Sequence, residues 1–350
     1  MVIKGLIIFT MSVFQVLGLS VALAQPPISA QELIETTELK QSLKQLEEGE
    51  IVLLTRPQLE NDSELHVAMS LLVPAPLKAT VEKMQQLASG SDTPGILTVQ
   101  EIKGTPTPAQ LATAFSGVAF EPAEAKEVQY MLEDGENSEY NLSKDEITMV
   151  KNKLGATASN VDGQVALLNA MSDAMREILK NRYLAYTQRG LDGVSAYRLS
   201  DTEQVNPSEE LIWATESMAV VKNRFPDYYQ CLRYYPQQCA PNLIHQFFWM
   251  KQSDGKRPMF VLKHWVLDVQ EDYALITERQ FYLSHTLNSM QVVIGCLPYG
   301  DGTLVVLLNQ AFTEMVNPAI GKKIAKAVGY KQVEKNIRPI FDALRAAFNR

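Results

Sequence analysis

Three of the chain's four histidines, His245, His264 and His285, fall on successive strand-like runs in its last third. An imidazole there could ligate a metal or carry a proton. A metal centre needs ligands converging at short range, and the chain has neither an HExxH nor a CxxC spacing. The expectation is half-buried strand histidines with hydrogen-bond partners, with no metal and no other cofactor. The segment Glu278–Asn288 (ERQFYLSHTLN) is unusually polar for a central strand. A period of two puts Arg279, Phe281, Leu283 and His285 on one face and Glu278, Gln280, Tyr282 and Ser284 on the other. Buried polar groups need partners, so one row is expected to line a cavity or an interface. Arg279 and His285 are the leading candidates for gripping the polar head of an otherwise apolar ligand. His264, Trp265, Tyr282 and Asn309 are weaker candidates. If Glu278 or His285 met a second titratable group in one pocket, the same row could instead do acid–base chemistry.

No nucleophile motif stands out. There is no GxSxG elbow, no P-loop and no dinucleotide glycine pattern. Ser253-Asp254-Gly255-Lys256 matches S-x-x-K by letters, but it falls in a turn, whereas that chemistry needs a helix start. Cys231 and Cys239, eight apart around Tyr234-Tyr235-Pro236, are predicted to close a small disulfide loop in an oxidising compartment. Cys296 sits inside an apolar strand and reads as a small core residue. Arg182, Tyr183, Tyr186 and Arg189 lie on one helical side before Gly190 and read as a packed face with snorkelling arginines.

The compartment follows from residues 1–24. Lys4 carries the only side-chain charge, an apolar stretch runs over residues 5–21, and Ala22-Leu23-Ala24 gives a small-x-small cleavage pattern. This reads as a secretory signal peptide, so the mature protein is expected to be exported, periplasmic or secreted, and soluble. Cleavage removes one lysine and takes the net charge from −8 to −9. A nucleic-acid partner would require a basic face, and this balance sets that class aside.

The elements that must position these residues begin with a polar helix over 30–47 and strands over Glu50–Thr55 and Glu64–Val73. Pro74-Ala75-Pro76 then opens a helix with Leu77, Val81, Met84 and Leu87 on one face, and Ile96–Ile102 is a third strand. Residues 121–150 hold nine acidic and two basic residues and read as a solvated helical insertion with a turn at 133–137. Helices are predicted over 165–188 and 208–235. Five strand-like runs follow, Ile244–Met250, Met259–Val269, Tyr273–His285, Ser289–Leu297 and Thr303–Met315. Their short connections imply an antiparallel meander. Asn317-Pro318 caps a long C-terminal helix with an apolar stripe of Ile320, Ile324, Val328, Val333, Ile337, Phe341, Leu344 and Phe348, kinked at Pro339. Such a helix can bury its stripe only against the sheet. The strands are apolar on both sides, so both sheet faces are expected to be covered. The fold class is α+β, a meander gripping a long C-terminal helix in a single domain over residues 25–350, with a helical insertion at about 105–240.

This order of elements resembles the helix-grip fold of the START and Bet v 1-like superfamily. There a strand leads through a proline turn into a helix, as Val73-Pro74-Ala75-Pro76-Leu77-Lys78 does, and a curved antiparallel sheet grips a C-terminal helix, as 259–348 would. The resemblance is topological and covers about 50–104 and 244–348. It implies a cavity between helix and sheet for a lipid, sterol or other apolar molecule. The leading expectation is therefore a carrier of a hydrophobic ligand in the cell envelope. The alternatives are an envelope hydrolase or cyclase acting on an apolar substrate, or a structural or partner-binding protein. Residues 318–350 hold eight basic and two acidic residues. This basic helix either lies on the acidic body or makes transient contact with anionic lipid head groups.

Overall fold

A computed structural model describes residues 26–54, 61–88, 95–133, 140–157, 163–255, 257–318 and 320–348. The segment expected to be a signal peptide, Thr55, most of the 133–137 turn and Lys256 lie outside the described residues.

Two N-terminal helices, α1 (Ala30–Thr36) and α2 (Leu43–Glu47), precede strands β1 (Val52–Leu53) and β2 (Glu64–Val73), helix α3 (Leu77–Ala88) and strand β3 (Ile96–Ile102). The insertion comprises α4 (Pro108–Ala114), α5 (Ala125–Glu133), α6 (Lys144–Thr157) and α7 (Gly163–Arg189), then a ribbon of β4 (Tyr197–Arg198) and β5 (Gln204–Val205). It continues with α8 (Pro207–Glu216), α9 (Ala219–Arg224) and α10 (Pro226–Tyr234). Strands β6 (Ile244–Asp254), β7 (Arg257–Val269), β8 (Ala274–Leu283), β9 (Ser289–Tyr299) and β10 (Gly302–Phe312) form the meander, and α11 (Lys322–Phe348) ends the described chain. The predicted 208–235 helix divides into α8, α9 and α10, and Pro226 at the first turn of α10 sets the second break.

Among the described residues these strands build an eight-stranded antiparallel sheet in the order β1-β2-β10-β9-β8-β7-β6-β3. The meander is thus flanked by β2 on one side and β3 on the other. Strand β7 is buried along almost its whole length, the mark of a strand covered on both faces. Helices α3 and α11 cover one face, which we call the grip face. There Ile337, Phe341 and Leu344 pack with Val67, Met69 and Val305. Full burial of such side chains stabilises by roughly 1.5–3 kcal/mol each. The opposite, or insertion, face carries two apolar cores. In one, Phe247, Phe260 and Leu262 meet Met171, Met175 and Ile178 of α7. In the other, Val266, Leu275 and Val293 meet residues of α1, α9 and α10. The α+β class holds, and the sheet with its long C-terminal helix is compatible with helix-grip topology.

Two expectations change. The strict alternation along Glu278–His285 breaks at a β-bulge, because Leu262 pairs with Tyr282 while Lys263 pairs with Gln280. Phe281 is the extra residue, so it and Tyr282 both enter the insertion-face core. The apolar stripe of α11 also divides. Its C-terminal part, Ile337, Phe341 and Leu344, is buried, but Ile320, Ile324 and Val328 are 91%, 73% and 62% exposed. Gly329 marks the crossover, because a Cβ there would press on Leu65 and Val316 at 2.9 Å. The inner side of the first turns therefore faces β2 and the segment before α11, and the three aliphatics face outward.

Candidate functional site

Across the insertion face, strand register lines up a polar belt. His264 on β7 is paired with Arg279 on β8, Arg279 with Gln291 on β9, Gln291 with Gln310 on β10, and Gln310 with His66 on β2. The belt runs between the two apolar cores. His264, Arg279, Gln291 and Gln310 are all buried, and His66 is half-buried. Helix α8 lies over its middle. Trp213 Nε1 and Gln310 Nε2 donate to the two oxygens of Glu64 at 2.8 and 3.0 Å, and the Thr215 hydroxyl reaches Gln291 Oε1 at 3.3 Å.

Arg279 is the centre of the belt. Its guanidinium donates to Gln291 Oε1 from Nε at 3.0 Å and from Nη2 at 2.8 Å, and to Thr215 Oγ1 at 3.1 Å. Nη2 also reaches the Leu232 carbonyl at 2.8 Å, and Nη1 the Tyr186 hydroxyl at 3.2 Å. All these acceptors are neutral. Among the described residues no carboxylate lies within ion-pair distance of this 1% exposed cation. A buried charge costs several kcal/mol unless it is paired or fully hydrogen-bonded. Here hydrogen bonds alone hold it.

Arg279 also fixes the direction of a longer chain. An arginine only donates, so the Tyr186 oxygen accepts from Nη1 and must aim its own proton at His264 Nδ1, 3.0 Å away. Burial holds the His264 ring well below the usual histidine value, an effect reinforced by His245 and Arg279. Burial lowers His245 as well. Both rings are therefore neutral near pH 7. With Nδ1 accepting, His264 carries its proton on Nε2 and donates it to His245 Nδ1 at 3.0 Å. The remaining N–H of His245, on Nε2, points to Cys231 Sγ at 4.0 Å. Four donors in series thus run from the guanidinium to a sulfur, each polarising the next.

That sulfur belongs to the predicted Cys231–Cys239 disulfide, which is present. Cys231 is wholly buried and Cys239 half-buried. Tyr235, within the loop, stacks on Tyr186 with ring centroids 5.5 Å apart and leans over His264 at 4.6 Å. The loop closes this tightly because residue 190 is glycine. Its φ is +61°, and a Cβ would collide with the Tyr235 carbonyl. Ligand atoms of Cys231, Cys239 and His245 lie within 4.8 Å of one another. The two sulfurs are bonded to each other, so this is a disulfide beside a histidine, with no thiolate to offer a metal.

The other sequence-predicted residues do not join this cluster. His285 lies past the bulge at the far end of β8, against the Tyr140 ring, with Nε2 on the Pro258 carbonyl at 3.1 Å and Nδ1 on Thr286 at 2.7 Å. Tyr282 faces the buried Arg182, whose guanidinium lies 4.4 Å from its ring and pairs with the half-buried Glu146. Trp265 and Asn309 lie on the grip face. Trp265 Nε1 donates to Glu278 Oε2 at 2.7 Å, which also takes Lys263 Nζ at 3.3 Å. Asn309 Oδ1 is buried without a hydrogen-bond partner. Glu278 and its cross-strand neighbour Val292 keep partial solvent access on this face although β8 and β9 are central strands. Sequence reasoning missed Gln291 and Thr215 and took Tyr186 for plain packing. A single polar residue inside the apolar run of β9 was the available signal for Gln291.

On the outer side of α11, Ile320, Ile324 and Val328 alternate with exposed Lys323, Lys331 and Lys335, and the half-buried Glu334 of this stretch is paired with Arg338. Lys322 and Lys326 turn inward to Asp62. Among the described residues no helix is long and apolar enough to cross a membrane. Compared with known protein families, curated proteins and solved structures, the chain matches none.

Proposed function

We propose that this is an exported lipid-binding protein of the cell envelope, docking on anionic lipid through the first half of α11 and holding an apolar molecule under that helix. The observation that carries the reading is the exposed Ile320, Ile324 and Val328 on a lysine-rich face. A basic helix with outward aliphatics suits the head-group boundary, where apolar side chains sink and lysines meet anionic phosphates. Each lysine near such a surface contributes about 1 kcal/mol. Each buried aliphatic adds roughly 1.5–3 kcal/mol at most. Together these give reversible attachment, as a carrier needs. The topological resemblance to the helix-grip fold implies cargo between α11 and the sheet. The partial access at Glu278 and Val292 and the unpartnered Asn309 Oδ1 support a ligand there.

Vesicle flotation tests the docking. The protein is expected to float with vesicles of equal parts phosphatidylcholine and phosphatidylglycerol, and to stay behind with phosphatidylcholine alone. The doubly substituted Ile324→Asp, Val328→Asp chain should lose flotation while keeping its circular dichroism. Equal behaviour of wild type and variant on anionic vesicles would refute the reading.

A further inference from the structure

The hydrogen-bonded chain on the insertion face has no part in lipid docking, yet it ends on a sulfur. We propose that Cys231–Cys239 is a redox-active disulfide, which an external dithiol opens by attack on Cys239 while Cys231 leaves as a thiolate held by His245 and the Arg279 cation.

Three observations converge. The first is access. Cys239 is half-buried and Cys231 wholly buried, so an incoming sulfur reaches Cys239 and the buried partner departs. The second is the donor chain. The guanidinium sets its polarity through Tyr186 and His264, so the terminal N–H of His245 faces Cys231. A disulfide sulfur is a poor acceptor and makes little use of that donor, whereas a thiolate makes full use of it. The third is the unpaired cation. Arg279 holds the carbonyl of Leu232, the residue after Cys231, and lacks a carboxylate partner among the described residues. Reduction creates an anion one residue from that carbonyl, which the buried cation favours through its field and through the donor chain.

The chemistry balances with a dithiol as co-reactant. Its thiolate forms a new S–S bond to Cys239 Sγ as the Cys239–Cys231 bond breaks, and the electron pair stays on Cys231 Sγ. The second sulfur of the dithiol, deprotonated by solvent, attacks its own partner sulfur in the mixed disulfide. Cys239 leaves as a second thiolate and takes a proton from water. The dithiol is oxidised by two electrons and the cysteine pair is reduced by two. A leaving thiolate of lower basicity departs faster, so the donor chain accelerates opening. Among the described residues His245 meets the rings of His264 and Tyr235, His264 meets Tyr186, and Cys231 shares α10 with Asp227 and Tyr228. Cys296, pushed up to about 12 by burial, stays a thiol throughout.

The test is thiolate absorbance at 240 nm in a Cys239→Ser chain, titrated below about pH 9, where tyrosine remains protonated. Cys231 is expected to ionise at least one unit below the ordinary cysteine value of about 8.5. His245→Ala should return it to that value or above, and in the wild-type background should slow opening by dithiothreitol several-fold. His245→Gln, which restores an N–H donor, should recover part of both effects. Tyr186→Phe removes one hydroxyl and keeps the ring, so it serves where His245→Ala loses its circular dichroism, and it should shift ionisation the same way. An ordinary Cys231 titration in the Cys239→Ser chain overturns the proposal. So does a titration that neither substitution moves.

Discussion

Arg279 shows how one side chain can organise a buried site without a countercharge. It satisfies Gln291, Thr215, Tyr186 and the Leu232 carbonyl at once. Arg279→Ala should therefore cost roughly 3 kcal/mol or more, through orphaned acceptors and the cavity left behind. Urea denaturation at neutral pH measures it. The histidines beside it carry a pH signature. Their folded-state values are depressed below 6.5, so their neutral burial contributes fully above that pH and is lost as pH falls below it. Stability should decline on acidification below about pH 6.5, and Tyr186→Phe, which releases His264 Nδ1, should alter that acid limb. At this scale the sequence was half legible. The polarity of the Glu278–Asn288 strand and the spacing of Cys231 and Cys239 are readable. The pairing of His264 with Arg279 and Gln291 depends on register across three strands, and the bulge at Phe281 shifts that register where no local signal announces it.

Helix α11 buries the apolar residues of its second half and exposes those of its first. Phe341→Ala should cost about 3–5 kcal/mol, as a buried aromatic truncation does, while Ile324→Asp should leave the denaturation midpoint nearly unchanged. The expected single stripe passes over a step of five from Val328 to Val333, which at about 100° per residue puts Val333, Ile337, Phe341 and Leu344 on the far side of the helix from Ile324 and Val328. What separates them is helix face, since the side carrying Gly329 packs on Leu65 and Val316 and leaves Ile324 and Val328 outward. Helix α8 offers a second case. Burial against β9 raises its Glu210 to about 7, where Asn288 and Ser289 donate to it and Glu314 lies nearby. The raised group contributes stability that is complete below 4.5 and lost as pH rises through about 7. Glu210→Gln should flatten that decline in a pH series of thermal midpoints.

For the molecule as a whole, the α+β class, the meander and the gripping helix were legible because hydrophobic period and turn chemistry act locally. The flanking positions of β2 and β3 were not, since pairing between strands far apart in sequence leaves no short-range mark. The fold sets α11, the proposed docking helix, on one sheet face and the donor chain and disulfide on the other, so each can be tested while the other stays intact. The proposed role as a lipid carrier is tested most directly by transfer of a fluorescent phospholipid between donor and acceptor vesicles. The protein is predicted to speed transfer above the spontaneous rate, more so as phosphatidylglycerol increases, and Ile324→Asp with Val328→Asp should abolish the gain. Transfer at the spontaneous rate with wild-type protein on anionic vesicles would contradict the account.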